Sequence, residues 1–186
     1  MRRIRIVVAY DGTNYCGWQI QPNGITIEEI LNRQISKLTG EDIRIIGASR
    51  TDSGVHALGN VAVFDTESRI PGDRFAYALN QKMPEDIVIV RSDEVQIDWH
   101  PRYQNEISKT YEYHIYNAKV RNPLKNRYST FVSFDLDVEK MRQGAKYVLG
   151  EHDFASFCNV RTNAKDTVRT VHEITIKEIR MDKFQA

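Results

Sequence analysis

Arg50-Thr51-Asp52-Ser53-Gly54-Val55-His56-Ala57 lies between two aliphatic segments, residues 43–46 and 60–64, and each segment is predicted to form a strand. A hairpin that joins neighbouring strands needs a loop of about two to five residues. The polar segment here extends over residues 47–59. The sequence therefore predicts a long loop at the end of a sheet, and its extra length indicates a role beyond reversing the chain.

The chemistry of this loop centres on Asp52. A nearby cation such as Arg50 favours the ionised form of a carboxylate, and an ionised aspartate can act as a nucleophile. Gly54 can adopt backbone conformations that other residues avoid. These features are typical of an active-site loop. The simpler interpretation is an Asp-Ser-Gly turn with a surface ion pair, and composition alone favours that interpretation.

The most clearly marked elements come before the loop. Residues 3–10 form an apolar run that is predicted to be a strand, and Asp11 begins the turn that follows it. Thr26 and Glu29 have the spacing of a capping box. Aliphatic residues then recur at helical spacing until Gly40, which is predicted to end the helix.

The remaining elements are predicted from shorter patterns. Residues 73–81 are predicted to form a helix and residues 87–90 a strand. Residues 109–116 alternate strictly, which predicts a half-exposed strand. A helix capped by Asp137 and ended by Gly150 is expected next, followed by a final strand over residues 168–179.

Together these elements predict an α+β fold, with an antiparallel sheet and helices packed on one face. Residues 1–98 and residues 99–186 each contain strands with one or two helices. We therefore expect two similar halves, with the catalytic loop 47–59 in the first.

Composition limits the class of protein. Of the 186 residues 41% are hydrophobic, which is enough for a packed core. No stretch approaches the roughly 20 apolar residues of a membrane helix, and no signal peptide is evident, so a cytoplasmic protein is expected. Cys16 and Cys158 are far apart, and the five histidines are scattered. We therefore expect no disulfide framework and no metal site.

The net charge of +1 neither favours nor excludes nucleic acid as a partner. The distribution of charge is more informative, because tyrosines are interleaved with basic residues between residues 99 and 129. Such a stretch suits a surface that binds a nucleic-acid backbone and stacks bases, although ordinary solvated lysines on tyrosine-rich strands would look the same. The basic residues are Arg102, Lys109, Lys119, Arg121, Lys125 and Arg127.

Residues 47–57 closely resemble the active-site motif of the TruA-type tRNA pseudouridine synthases. Four further blocks of this family are matched in the same order along nearly the whole chain. They comprise Tyr10-Asp11-Gly12 with residues 15–19, Leu79-Asn80 with Pro84 and Asp86, His100-Pro101-Arg102 with Lys109, Tyr111 and Tyr113, and residues 150–157. The resemblance implies the pseudouridine synthase fold, in which the two halves form a cleft.

The resemblance also implies roles for individual residues. Asp52 would be the carboxylate that initiates breakage of the uracil glycosidic bond, and Arg50 would fill the space left by the flipped nucleotide. Tyr111 would stack on the target base and assist proton removal from C5, with an ordinary core tyrosine as the competing interpretation. His56 and Arg102 would support the loop or contact phosphates. No cofactor is implied.

The implied function is isomerisation of uridine to pseudouridine at positions 38–40 in the anticodon stem-loop of tRNA, by a homodimer. Two departures from the family pattern are visible. Ser49 stands where glycine is more common, and residues 184–186 end the chain where the family continues with a block that contributes an arginine facing the aspartate. The alternative function is therefore a catalytically impaired RNA-binding core. A glycosidase ranks last, since the loop offers no second acid.

Overall fold

The computed structural model describes residues 1–103, 108–158 and 166–179. The chain divides into two compact units, Met1–Tyr111 and Glu112–Ala186. The division between residues 98 and 99 that the sequence predicts, as the boundary of two similar halves, stays a prediction. No helix in the described ranges is long and apolar enough to cross a membrane.

The first unit is built on a four-stranded antiparallel sheet with strand order β2-β3-β1-β4. Two α-helices and two short 3₁₀ turns, Gly12–Asn14 and Gly72–Arg74, complete the unit. The elements are β1 (Arg2–Tyr10), α1 (Ile27–Thr39), β2 (Ile46–Gly47), β3 (Ala57–Thr66), α2 (Phe75–Asn80) and β4 (Ile87–Val95). The α+β class and the antiparallel sheet predicted from the sequence are confirmed.

The core of the first unit lies between one face of the sheet and the two helices. Side chains alternate along β1, so that Ile4, Ile6 and Val8 are buried in the same cluster as the inner face of α1 and the residues of α2. Phe64 on β3 meets Phe75 on α2 edge to face, with 5.3 Å between ring centroids. The helices therefore cover one face of the sheet, as predicted.

Helix α1 forms as its capping residues predict. The Thr26 hydroxyl accepts a hydrogen bond from the Glu29 backbone N–H at 3.3 Å, which satisfies one of the free donors of the first turn. Gly40 ends the helix with a φ of 77°, a left-handed conformation that favours glycine. The buried stripe of α1 consists of Ile27, Ile30, Leu31 and Ile35.

The predicted strand over residues 43–46 is wrong for most of its length, because only Ile46 belongs to β2. The Ile43 backbone N–H donates to the Ser36 hydroxyl at 2.9 Å. The Ile45 N–H donates to the Asn32 side chain, also at 2.9 Å. Side chains of α1 thus accept hydrogen bonds from backbone N–H groups that would otherwise be available to pair with a neighbouring strand. The following strands are longer than predicted, and α2 begins at Phe75, after a 3₁₀ turn.

In its described residues the second unit contains two small sheets, one α-helix and a 3₁₀ turn, Ala155–Phe157. Strands β5 (Ile115–Asn117) and β6 (Thr130–Val132) pair in parallel. Strands β7 (Gly150–Asp153) and β8 (Val168–Val171) pair antiparallel. Helix α3 (Val138–Ala145) is capped by Asp137, whose side chain accepts from the Lys140 backbone N–H at 3.0 Å. The cap was predicted.

Three expectations for the second half are wrong in extent. Residues 109–114 are exposed and lie outside any strand, because a strand requires a paired neighbour and the described pairing begins only at Ile115. Helix α3 ends at Ala145, and Gly150, although its φ is 95°, begins β7. The final strand is described only over Val168–Val171, so the predicted continuation to residue 179 is not formed.

We expect Leu31→Ala to lower the free energy of unfolding by about 2–5 kcal/mol, because it leaves a cavity in a fully buried position between α1 and the sheet. Lys37→Ala, on the exposed face of the same helix, should change that free energy by less than about 0.5 kcal/mol. Urea unfolding followed by circular dichroism measures both. Equal costs for the two variants would show that α1 does not pack as described.

Candidate active site

The loop between β2 and β3 carries Asp52 on an exposed turn. The Val55 backbone N–H donates to the Asp52 carbonyl at 3.1 Å and closes the turn. Gly54 lies at the third position of this turn with a φ of 77°, a conformation that favours glycine. The prediction that Gly54 supplies an unusual backbone conformation is confirmed.

The N-terminal segment packs directly against this loop through its backbone. The Trp18 N–H donates to the Thr51 carbonyl at 3.0 Å. Gly17 has a φ of 82°, and a Cβ at this position would lie 2.5 Å from the Thr51 carbonyl oxygen and 3.2 Å from the Asp52 carbonyl carbon. Only glycine allows this approach without displacing the residue that carries the carboxylate.

Further backbone contacts hold the residues after Asp52. The Tyr15 carbonyl accepts hydrogen bonds from the Ser53 hydroxyl at 3.2 Å and from the Gly54 N–H at 3.3 Å. A Cβ on Gly12 would collide with the Val55 carbonyl. The loop is therefore supported along both sides of its turn by residues 12–18.

This supporting segment is itself fixed to the start of β4. The Asp11 N–H donates to the Asp86 carbonyl at 2.9 Å, and the Tyr15 hydroxyl donates to the Asp86 carboxylate at 2.5 Å. Burial raises the pKa of the Tyr15 hydroxyl, and the hydrogen bond to Asp86 raises it further, so the hydroxyl remains a donor at neutral pH. The loop thus rests on a segment that is anchored to the sheet.

His56 joins the end of the loop to the same segment. Its Nδ1 accepts a hydrogen bond from the Gly12 N–H at 3.1 Å and lies 3.0 Å from the Asp11 carboxylate. These contacts tie the end of the loop to Asp11 and Gly12. A contact between His56 and substrate stays a prediction.

A polar group beneath the loop consists of Tyr10, Thr51, Asn60 and Ser49. The Tyr10 hydroxyl lies 2.8 Å from the Thr51 hydroxyl. The Asn60 side-chain amide donates to the Ser49 carbonyl at 3.1 Å and, over a longer 3.5 Å, to the Tyr10 oxygen. Burial raises the pKa of Tyr10, because the apolar surroundings disfavour the phenolate.

Arg102 reaches the beginning of the loop. Its Nε donates to the Gly47 carbonyl at 2.8 Å, while its backbone N–H donates to His100 Nδ1 at 3.1 Å. The Trp18 ring also lies against Gly47, where a Cβ would come within 2.6 Å of the indole nitrogen. Arg102 is therefore placed beside the loop, although it is 50 residues further along the chain than Asp52.

The structure brings Asp52, Arg50, His56 and Arg102 to one loop or its edge. Arg50 and Asp52 are both exposed, and within the described ranges no ion pair joins them, so the charge pairing expected from their proximity in sequence is not formed. Tyr111 is the last residue of the first unit and its side chain is 70% exposed. No described hydrogen bond or ring contact connects Tyr111 to the loop.

Sequence reasoning assigned no role to Tyr10, Thr51, Asn60 or Gly17. Tyr10 and Gly17 belong to the N-terminal block that resembles the family, and this was the available signal. Their contact with the loop depends on the folded arrangement, which a linear pattern does not contain. Among the described residues, no group of three or more histidine, cysteine, aspartate or glutamate side chains could hold a metal ion.

The loop with its exposed Asp52 carboxylate, next to an antiparallel sheet with helices on one face, is a candidate active site. Comparison with known families identifies the class of protein. A family model described as tRNA pseudouridine synthase matches residues 6–104 and 145–185. The chain therefore belongs to the tRNA pseudouridine synthase family, as its motifs predicted, and its members are isomerases.

Individual relatives support the assignment. The tRNA pseudouridine synthase A of Acetivibrio thermocellus is 48% identical over 186 residues, which is the whole of this chain and 76% of the relative. The enzyme of the same name from Thermoanaerobacter sp. is 45% identical over 178 residues, with 96% of this chain and 72% of the relative covered. That of Brevibacillus brevis is 44% identical over 179 residues, covering 96% and 73% respectively.

The chain thus spans about three quarters of the length of these relatives. Each of the three is named as a synthase. The alternative of an RNA-binding core without catalytic activity gains no support from them.

Gly17→Ala should reduce turnover of tRNA by at least about tenfold, because the new methyl group displaces Thr51 and Asp52 from the turn. Gly40→Ala is the matched control: it places alanine at nearly the same positive φ, with no atom within 4 Å of the new Cβ. Both variants should lose about 1–3 kcal/mol of stability from backbone strain. Turnover and thermal unfolding measure the two effects, and equal turnover in both variants would contradict the role of Gly17.

Proposed function

We propose that this chain isomerises uridine to pseudouridine at positions 38–40 in the anticodon stem-loop of tRNA, with Asp52 as the nucleophile. One observation carries the proposal. The backbone around Asp52 is held by residues 12–18, while no hydrogen bond or ion pair within residues 1–103, 108–158 and 166–179 occupies the Asp52 carboxylate. The backbone position of Asp52 is therefore fixed, and its carboxylate is available to react.

The reaction exchanges one bond to C1′ of the ribose for another. Asp52 promotes cleavage of the bond from N1 to C1′ by one of two routes. In the first its carboxylate adds to C1′ and is displaced when the base rejoins, and in the second it takes the C2′ proton to give a glycal-type intermediate and returns that proton when the base rejoins. The detached uracil then rotates and rejoins C1′ through C5. The C5 proton leaves and N1 gains a proton, so that atoms and charge balance without a cofactor or redox partner.

The exposed side chains near the loop suit the handling of a flipped base. A uridine in a stacked stem hides C1′ and C5, so the nucleotide must be turned out of the stem. Arg50 is exposed and not paired with Asp52, so its guanidinium is free of that carboxylate and can occupy the vacated space. Arg102 uses Nε to hold Gly47, and its terminal nitrogens remain suited to a phosphate.

We assign Tyr111 to stacking on the target base and to removal of the C5 proton. Its exposed ring offers a face for a base, and its hydroxyl is the group that accepts or relays the proton. Other residues of the basic and tyrosine-rich stretch, such as Lys109 and Arg127, are assigned to the tRNA backbone. The two halves are proposed to form the cleft for tRNA, and the functional form to be a cytoplasmic homodimer.

The nucleophile is tested with tRNA that carries uridine tritiated at C5. The parent chain should release tritium to water. Asp52→Asn should release at least about a thousandfold less while its affinity for tRNA changes by less than about threefold, because the substitution removes the reactive charge and keeps the shape. The control is Asp42→Asn, which neutralises an exposed aspartate elsewhere in the unit and should keep the parental rate.

Release by Asp52→Asn at the parental rate would overturn the assignment of the nucleophile. A parent chain that binds tRNA and releases no tritium would instead favour the alternative, an RNA-binding core without activity. Mapping pseudouridine in the product tRNA then tests the positions, and a product outside positions 38–40 would contradict the proposed specificity.

Tyr111→Phe and Tyr111→Leu separate the two roles proposed for this tyrosine. Phenylalanine keeps the stacking surface, so KM should stay within about twofold while the rate of tritium release falls. Leucine also loses base stacking, which is worth about 1–3 kcal/mol, so KM should rise by about 5- to 150-fold. Tyr77→Phe, at another exposed tyrosine, is the control. Parental kinetics in Tyr111→Leu would exclude both roles.

A further inference from the structure

The hydroxyl pair beneath the loop is not explained by the packing of the core. Tyr10 is the last residue of β1 and its side chain is only 4% exposed. Its ring packs against Trp18, with centroids 5.9 Å apart, so the ring alone would satisfy the apolar core. Its hydroxyl nevertheless reaches the Thr51 hydroxyl at 2.8 Å, directly before Asp52 in the chain.

Thr51 is held at two separate points. Its carbonyl accepts the Trp18 N–H at 3.0 Å, which fixes the plane of the peptide that joins it to Asp52. Its side chain is fixed by Tyr10. A residue restrained at both its carbonyl and its side chain has little freedom to rotate, so the starting direction of Asp52 is set by Thr51.

Asp52 has no comparable restraint of its own. In the part of the chain that the structure describes, its carboxylate makes no hydrogen bond or ion pair, and its side chain is exposed. Its position therefore depends on the backbone on either side. Gly17 limits that backbone from one direction, and the turn to Val55 limits it from the other.

The hydroxyl pair has a further contact through Asn60. The Asn60 side-chain NH₂ group donates to the Ser49 carbonyl at 3.1 Å and, over a longer 3.5 Å, to the Tyr10 oxygen. Either hydroxyl can donate in the bond between Tyr10 and Thr51. Since burial raises the pKa of Tyr10, the phenol keeps its proton and the pair persists across the neutral pH range.

We infer that Tyr10 and Thr51 are positioning residues for Asp52, and that their hydroxyl pair sets the direction from which the carboxylate meets the substrate. The inference rests on the proposed function, in which Asp52 is the nucleophile. Misplacement of a reacting group by about 1 Å can cost about a hundredfold in rate. Loss of either hydroxyl should therefore lower kcat and leave tRNA binding nearly unchanged.

The experiment is a double-mutant cycle in the tritium-release assay. Tyr10→Phe and Thr51→Val each remove one partner and keep the shape of the side chain. Each should lower kcat by about tenfold or more with KM within about twofold, and the double variant should be no slower than the slower single variant, because both lose the same bond. Thr51→Ser keeps the hydroxyl that Thr51→Val removes, so this variant should retain most of the parental kcat.

Thr66→Val is the matched control. Thr66 is a buried threonine on β3 whose hydroxyl also bonds a side chain, that of Glu41, and it lies outside the loop. Loss of the Thr66 hydroxyl should lower the stability of the fold and leave kcat unchanged. Circular dichroism and thermal unfolding are recorded for every variant. Tyr10→Phe, which keeps the buried ring, decides the question if Thr51→Val fails to fold.

Two results would overturn the inference while leaving the proposed function intact. One is a parental kcat in Tyr10→Phe, and the other is a loss of kcat in the double variant that equals the product of the two single losses. A rise in KM without a change in kcat would do the same, since it would place the pair in tRNA binding. Failure of the proposed function is seen separately: either the parent chain releases no tritium, or Asp52→Asn releases it at the parental rate.

Discussion

The close approach of the backbone at Gly17 to residues 51–53 is the constraint on which the position of Asp52 depends. It requires two elements to end in the correct places, since β1 delivers the chain at Tyr10 and α1 takes it up again at Ile27. The intervening segment is tied to the sheet through Asp86. The core between α1 and the sheet therefore determines where the segment that supports the Asp52 loop lies.

Predictions that depended on residues close together in the sequence succeeded in this fold. Several of those that required pairing with a distant strand failed. Helix α1 is marked by its cap and by Gly40, all within 15 residues, so the sequence was sufficient. Residues 43–45 looked like a strand, but helix side chains satisfy their N–H groups, which depends on tertiary contact. The alternating residues 109–114 failed for a related reason, because alternation describes a face and cannot provide a neighbouring strand.

The same distinction applies to the candidate site. Asp52 and Gly54 were predicted from one short motif, and the structure places them on a tight turn. The partnership of Tyr10 with Thr51 joins residues 41 positions apart and could not be predicted from spacing. The opposite error concerns Arg50 and Asp52. Two charges near each other in sequence suggest a pair, yet exposed ion pairs gain little free energy and are not enforced by proximity.

A nucleophile held through its backbone suits a reaction on a base that must first leave a stacked stem. A carboxylate engaged in an internal salt bridge would have to break that bond before reacting, and the loss would add to the cost of unstacking the uridine. Among the described residues Asp52 is restrained by Gly17, Thr51 and the turn to Val55, and no ion pair to its carboxylate would have to be broken there. In the proposed reaction, the incoming nucleotide displaces water from the carboxylate, which strengthens the interaction of Asp52 with the developing charge at C1′. In the proposed reaction, backbone contacts within the described residues therefore place Asp52 without an ion pair to its carboxylate.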